Sequence, residues 1–254
     1  IAVVILNWNG AKLLEQFLPS VMAFSDEATI YVADNASTDT SIEVIQNQFP
    51  SVKIIQNTGN FGFAKGYNEA LKFVEEEYYA LVNSDIEVTE NWLTPIIEIF
   101  ENQPETAIIQ PKLLDFKKKT HFEYAGGAGG FIDKFGYPFC RGRIFDTIEE
   151  NKNQYDDEIE IFWATGACFF IRKEVYRLLH GFDVVFFDAF SPDKQPELWT
   201  PELFLRMYNQ CNSGAVLTTY CAKGSVRRAM IQAGFKVERL PGPPGKREIL
   251  RAVK

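Results

Sequence analysis

Asp85 is the residue around which chemistry would gather. It closes Asn83-Ser84-Asp85, directly after the apolar run Tyr78-Tyr79-Ala80-Leu81-Val82 and before Ile86-Glu87-Val88 and a helix start at Thr89-Glu90-Asn91-Trp92. Such a run reads as a buried strand, and in an open α/β sheet ligands sit beyond the carboxyl ends of the strands. The same three residue types also serve simply as a turn cap. Two earlier runs end alike: Ala2–Leu6 leads into Asn7-Trp8-Asn9-Gly10, and Ile30–Ala33 into Asp34-Asn35-Ala36-Ser37-Thr38-Asp39. A further stretch, from Asn57 through Asn60, Gly62, Lys65 and Gly66 to Asn68, runs from a strand into a helix. It has neither the G-x-G-x-x-G spacing of a dinucleotide site nor the Gly-Lys-Ser/Thr of a phosphate loop. Glycines at a helix N-terminus still leave N–H groups that favour an anion, and Lys65 would add a charge.

The elements that must position these residues alternate from Ile1 to Asp115. Apolar runs at Ala2–Leu6, Ile30–Ala33, Val52–Gln56 and Tyr78–Val82 are followed by amphipathic stretches at Ala11–Phe24, Thr40–Phe49, Phe63–Glu76 and Trp92–Glu101. That rhythm predicts βαβ units and a mostly parallel sheet. Ser37 or Thr38 marks the second helix start and Pro95 the fourth, and a fifth strand is expected at Ala107–Gln110, stopped by Pro111.

From Asp115 to Glu160 the rhythm breaks into glycines, the solvated trio Lys117-Lys118-Lys119 and an acidic segment, which reads as a long irregular region or a flap. Order is expected again at Ile159–Trp163, a strand Cys168–Ile171 and a helix Lys173–Leu179. Beyond Gly181-Phe182-Asp183 comes half of another α/β sheet. Its parts are Val184–Phe187 with Asp188 at the tip, a helix Pro201–Gln210, a strand Ala215–Tyr220, a helix Ser225–Ala233, and strands Phe235–Leu240 and Glu248–Val253. Pro241–Gly245 is the rigid turn between the last two.

Composition bounds the chemistry. At 254 residues and 46% hydrophobic content the chain can bury a sizeable core. A net charge of −8 without a long basic run argues against a large nucleic-acid footprint. Only His121 and His180 are present, which excludes a zinc site of several histidines and disfavours a histidine-based triad. Cys140, Cys168, Cys211 and Cys221 show no Cys-x-x-Cys spacing, which fits reduced thiols and a cytoplasmic location, the inner face of the membrane included. No stretch reaches the ~18–20 apolar residues of a membrane span. The chain begins at Ile1 inside a strand-like run, which leaves a trimmed start and a signal peptide both open.

In their order, Asn7-Trp8-Asn9-Gly10, Asp34 to Asp39, Asn60 to Asn68 and Asn83-Ser84-Asp85 resemble family 2 glycosyltransferases, and more narrowly their bacterial rhamnosyltransferase-like branch. Gly126-Gly127, Arg141-Gly142-Arg143 and Trp163 to Ala167 leading to Ile171-Arg172-Lys173 extend the resemblance to about Asp183. It implies an A-type glycosyltransferase fold, a Rossmann-like α/β sheet that takes a nucleotide-diphospho-sugar donor and a glycan or lipid-linked acceptor. Leu6, Asn7 and Trp8 would line the nucleotide and Asp34 would hold its base. Gly62 to Asn68 would flank the nucleotide, with Asn60, Lys65, Gly66 and Ser84 among the donor contacts. Asp85 matches the last acid of the family's metal-binding Asp-x-Asp motif, implying Mg²⁺ or Mn²⁺, although Asn83 replaces the first acid and would weaken the hold.

After Asp183 the family's acidic, base-supplying segment has no counterpart. Residues 184–199, with Thr219 to Ala222, Val226-Arg227-Arg228 and Lys246-Arg247-Glu248, resemble instead the later half of the methyltransferase that completes the methylaminomethyl group of a tRNA wobble uridine. That resemblance implies a partial Rossmann-type half-sheet, Asp188 as proton acceptor, a pocket shaped by Phe190 to Pro192, and tRNA and S-adenosylmethionine as partners. The glycine-rich turn that would hold S-adenosylmethionine is missing. The expectation is therefore two partial domains, 1–183 and 184–254, joined near Gly181–Val184 by a natural fusion, an engineered chimera or an assembly gap. Glycosyl transfer leads, tRNA methylation is the rival, and binding without efficient catalysis the third option.

Overall fold

The computed structural model describes residues 1–132, 138–144, 147–179, 181–182, 199–211, 216–219, 221–241 and 248–254. The chain divides into two compact units, Ile1–Phe182 and Asp183–Lys254. The expected strand Val184–Phe187, Asp188, and the Phe190 to Pro192 pocket lie outside the described residues, as does most of the Pro241–Gly245 turn.

In the first unit the expected alternation is present as β1 (Ala2–Asn7), α1 (Ala11–Ala23), β2 (Thr29–Asp34), α2 (Ser41–Gln48), β3 (Lys53–Gln56), α3 (Gly62–Ala70), β4 (Tyr78–Asn83), α4 (Thr94–Asn102) and β5 (Ile108–Ile109). A single 3-10 turn, Leu71–Phe73, replaces the last turn and a half expected of the third helix. Strands β1 to β4 run parallel. Their apolar runs are continuous because both faces are covered: Val3 and Ile5 enter one core with Leu14 and Leu18 of α1, and Ala2 and Val4 enter the other with Tyr67 of α3.

The region expected to be irregular holds four short antiparallel strands, β6 (Gly130–Ile132), β7 (Pro138–Cys140), β8 (Arg143–Ile144) and β9 (Thr147–Ile148). Two- and three-residue strands are too short to show a period in sequence. Ile159–Trp163 contributes only an isolated bridge, from Trp163 to Gly130. Then β10 (Cys168–Arg172) joins the main sheet, antiparallel to both β4 and β5, and α5 (Lys173–Leu178) follows. The sheet order is β3-β2-β1-β4-β10-β5.

Two charged residues secure helix ends in this unit. Arg172 is buried; its guanidinium donates to the carbonyls of Phe100, Gln103 and Thr106 just where α4 ends, and lies over the rings of Phe100 and Tyr78. Asp39 serves two helix starts at once. One oxygen accepts the N–H of Ala11 at the head of α1 (3.0 Å), the other the N–H (3.0 Å) and hydroxyl (2.5 Å) of Ser41 at the head of α2. The expected caps, Ser37 and Thr38, are occupied elsewhere. Burial opposes ionisation of Asp39, yet the bonds from Ser41 and Ala11 outweigh it and hold the carboxyl below its usual range.

The second unit contains α6 (Pro201–Gln210), β11 (Val216–Thr219), α7 (Gly224–Gln232), β12 (Lys236–Pro241) and β13 (Glu248–Val253). Thr200 caps α6 by accepting the Leu203 N–H (3.3 Å). The strands pair β11-β13-β12, antiparallel throughout, so the described part of the expected half-sheet contains no parallel pair. Phe204, Leu217, Met230 and Leu250 form its core. Among the described residues no helix is long and apolar enough to cross a membrane.

Replacing Arg172 by Met removes donors from three carbonyls at a buried helix end. It should lower the unfolding free energy by about 2–4 kcal/mol, measured by urea titration; a loss under about 1 kcal/mol would show that the cap is redundant. For Asp39 the lowered native value means that its stabilisation is full above the ordinary aspartate range, ~4, and disappears as the pH falls through the native value. Asp39→Asn should therefore flatten the acid side of the stability curve between about pH 5 and 2 relative to wild type. Parallel curves would exclude that role.

Candidate functional site

The chain leaves β1 toward β2 on one side, while β4 flanks β1 on the other. Between them lies the switch point of the sheet, where the connections diverge and a crevice opens beyond the strand ends. Asn7-Trp8-Asn9-Gly10 and Asn83-Ser84-Asp85 are the two tips at that crevice. Trp8 stands 56% exposed and the Asp85 carboxylate faces solvent. Beneath them, the buried Tyr67 hydroxyl spans the two strands, within 3.4 Å of the Val4 carbonyl and 3.2 Å of that of Val82. Burial raises its pKa well above the usual phenol range, so it stays a neutral donor.

A lattice of side-chain amides and carboxylates fixes the tips. Asn7 Nδ2 donates to Asp34 Oδ1 (3.0 Å) and to Ser37 Oγ (3.1 Å), and Asp34 also accepts the Ser37 N–H (2.9 Å) and hydroxyl (2.5 Å). Asn9, with φ of 52°, accepts the Thr38 N–H through Oδ1 (2.7 Å). Asp34 is 2% exposed and three times bonded, so its observed work is to hold the loop after β2. Asn7 Oδ1, by contrast, is buried and has no partner. A Cβ on Gly10 would lie 2.4 Å from that oxygen and 3.8 Å from Ser84 Oγ, which places both groups over the head of α1.

The third tip forms a second lattice. Asn57 Nδ2 donates to Asn35 Oδ1 (2.8 Å) and to the Gly66 carbonyl (3.1 Å), while Asn35 Nδ2 donates to the Gly62 carbonyl (2.9 Å). Gly66 is required by close approach: a Cβ there would meet Asn35 at 2.7 Å and Leu6 at 3.1 Å. Gly62, with φ of 70°, starts α3 in the left-handed region that glycine tolerates. On the far side of β4 the Asn83 N–H donates to the Ala167 carbonyl (2.8 Å), which brings Thr165–Ala167 to the crevice.

Of the residues singled out in sequence, Leu6, Asn7, Trp8, Asp34, Gly66, Ser84 and Asp85 meet around the crevice. Asn60 accepts the Gly62 N–H (3.0 Å), and Lys65 lies over the Phe61 ring at 4.4 Å. Asn68 is engaged elsewhere. Its Oδ1 accepts from the Tyr176 hydroxyl (2.9 Å) and the Phe182 N–H (3.0 Å), so it holds the end of the unit against α3. Asn35, Asn57 and Tyr67 went unrecognised. A signal existed for two of them: Asn7, Asn35 and Asn57 stand at or just after the ends of the first three strands.

Among the described residues no group of three His, Cys, Asp or Glu side chains could hold a metal ion. Asp34 and Asp39 have their oxygens engaged by the loops, and Glu87 pairs with Lys119. Asp85 is exposed at the end of β4.

Comparison with known proteins agrees with two sources for this chain. The family described as "S-adenosyl-L-methionine-dependent methyltransferase" matches residues 150–254. The "tRNA 5-methylaminomethyl-2-thiouridine biosynthesis bifunctional protein MnmC" of Stutzerimonas stutzeri is 48% identical over 69 residues, 27% of this chain and 10% of the relative. The protein of the same name from Aromatoleum aromaticum is 44% identical over 80 residues, 32% of this chain and 13% of the relative. The chain thus spans about a tenth of the length of the curated relatives it matches. Among solved structures, a mannosyltransferase of Pyrobaculum calidifontis in complex with GDP-Man and Mn²⁺ is 16% identical, covering 72% of this chain and 48% of its own, with a TM-score of 0.49. S. aureus TarS in complex with UDP-GlcNAc is 23% identical, covering 44% and 34%, with a TM-score of 0.40. Scores at that level establish no shared fold by themselves. The family described as "Glycosyl transferase family 2" matches residues 2–179, the greater part of the sequence and nearly all of the first unit, and the chain belongs to that family.

Proposed function

We propose that the first unit binds a nucleoside-diphospho-sugar across the switch point and transfers the sugar to a hydroxyl of a glycan or lipid-linked acceptor. The observation that carries this reading is the convergence of Leu6–Trp8, Asp34 and Asn83–Asp85 on one crevice in a family 2 chain. The base lies at the Asp34 and Asn7 side, where Trp8 offers an exposed aromatic face. Asp34 acts chiefly by ordering the loop on which the base rests, since its oxygens are already bonded. In the transfer the bond from the anomeric carbon to the phosphate oxygen breaks, the acceptor oxygen takes its place, and the hydroxyl proton passes to a base.

A divalent cation fits this site on one condition. Mg²⁺ binds nucleotides through one or two carboxylates with phosphate oxygens completing its shell, and Asp85 supplies one. The donor brings the rest. Bound there, Mg²⁺ or Mn²⁺ would neutralise charge on the leaving diphosphate.

The second unit we read as a segment of methyltransferase origin, which makes 1–183 and 184–254 the functional division. Identity to the tRNA-modifying relatives favours that origin. The described residues fit S-adenosylmethionine poorly: three antiparallel strands, with Gly224 the lone glycine in the turn from β11 to α7. No methyl-transfer step follows from them. Asp188, the first acid after the family's Gly-Phe-Asp, lies outside the described residues, and because the family's acidic segment is missing from the sequence, transfer is slow relative to binding.

Asp34→Ala should weaken binding of UDP, GDP or dTDP at least about tenfold, the cost of one lost charge-assisted network, measured by isothermal titration. Unchanged affinity for all three would remove the assignment. Mn²⁺ should strengthen diphosphate binding by wild type and not by Asp85→Asn, with the free nucleoside indifferent to metal. Equal binding by both proteins with Mn²⁺ and with chelator would exclude a metal at Asp85.

A further inference from the structure

The strand tips define a direction across the crevice. From Asp34 on β2 the order runs through Asn7–Gly10 on β1 and Asn83–Asp85 on β4 to Thr165–Ala167, which lead into β10. Neighbouring strands lie ~4.8 Å apart, so three steps cover roughly 14 Å. That is about the reach from a base, past two phosphates, to the sugar they carry. If the base rests near Asp34 and the phosphates near Asp85, the sugar falls beside Thr165–Ala167.

One aromatic ring stands there. Phe63, in the first turn of α3, is 44% exposed although its ring packs edge-on against the buried Tyr67, centroids 5.0 Å apart. Its tip rests on the backbone of Gly166: a Cβ at 166 would lie 2.9 Å from Phe63 Cζ and 3.3 Å from Cε1. The loop carrying Gly166 is held from three sides. Gln110 accepts the Thr165 N–H (2.8 Å) and donates to the Gly126 carbonyl (3.0 Å), Gly126 packs so closely on Thr165 that a Cβ would come within 2.6 Å, and Asn83 binds Ala167. A fixed loop and a helix-borne ring thus meet at one glycine. The ring is neither buried as core nor paired with a charge among the described residues.

We propose that Phe63 is the platform on which the C–H face of the donor's sugar ring rests, and that Gly166 is a positioning residue that lets the platform stand where it does. This rests on the nucleotide-sugar reading above and adds to it which residues read the sugar. Phe63 contributes to affinity only when a sugar is attached to the diphosphate. Any side chain at 166 pushes the ring off its seat and narrows the space the sugar enters.

The test is isothermal titration of the 254-residue chain with UDP, GDP and dTDP and with their hexose conjugates, all in Mn²⁺. Wild type should bind one conjugate more tightly than its bare diphosphate. Phe63→Ala should lose that increment, about 2- to 10-fold for one aromatic contact, and leave the bare diphosphate unchanged. Gly166→Ala should do the same, and the double variant should be no worse than Phe63→Ala alone, because both act through one ring. Phe63→Leu keeps apolar packing on Tyr67 and should remain folded without recovering the increment. Equal weakening of diphosphate and conjugate by Phe63→Ala would overturn the proposal while leaving the nucleotide site intact, as would a wild type that binds both equally. A wild type that binds no diphosphate would overturn the nucleotide reading and this one with it.

Discussion

The connection from β1 turns to β2 on one side while that from β3 crosses back to set β4 on the other, and this divergence opens the crevice without any side chain having to be removed from the core. Everything at the site follows from that divergence. The tips of β1 and β4 lie side by side only because β4 returns across the starting strand, and their apolar bodies are buried on both faces, so polarity can appear only at the ends. Tyr67 ties the seam from below through a hydroxyl that burial keeps protonated.

The loops above the seam are ordered by two carboxylates, of which sequence reading assigns Asp34 to a ligand. Asp34 and Asp39 lie only five residues apart, yet one organises the turn after β2 while the other sits between the heads of α1 and α2, where N–H groups and helix dipoles favour a negative charge. Two carboxylates engaged in this way are spent on the loops, while Asp85 stays exposed at the end of β4. The consequence is a crevice whose walls are set by the fold itself. Preset walls lower the cost of ordering on binding.

The main sheet was legible in sequence because a strand covered on both faces is a continuous apolar run, as in Ala2–Leu6 and Tyr78–Val82. The small sheet from Gly130 to Ile148 was not, because strands of two or three residues are too short to carry a period. At the site, the places of Asp34 and Asp85 at strand ends were legible from the apolar runs that precede them. What could not be read was how Asp34 Oδ1 is shared, since its partner Asn7 is set by the register of β1 on β2, whereas Ser37 lies only three residues further along the same loop. Asn68 ends a stretch whose beginning is at the crevice. Six residues of helix carry it roughly 9 Å along the axis, to Tyr176 and Phe182 instead.

That displacement has a meaning for how such a chain is put together. Asn68 grips the Phe182 backbone at both its N–H and its carbonyl, and the Phe182 ring closes an aromatic cluster with Tyr67, Phe169 and Tyr176. The last bonds of the first core are therefore made one residue before the second unit begins. Phe182 works as a ferrule, binding off the chain end of the first core against the helix that begins at the crevice.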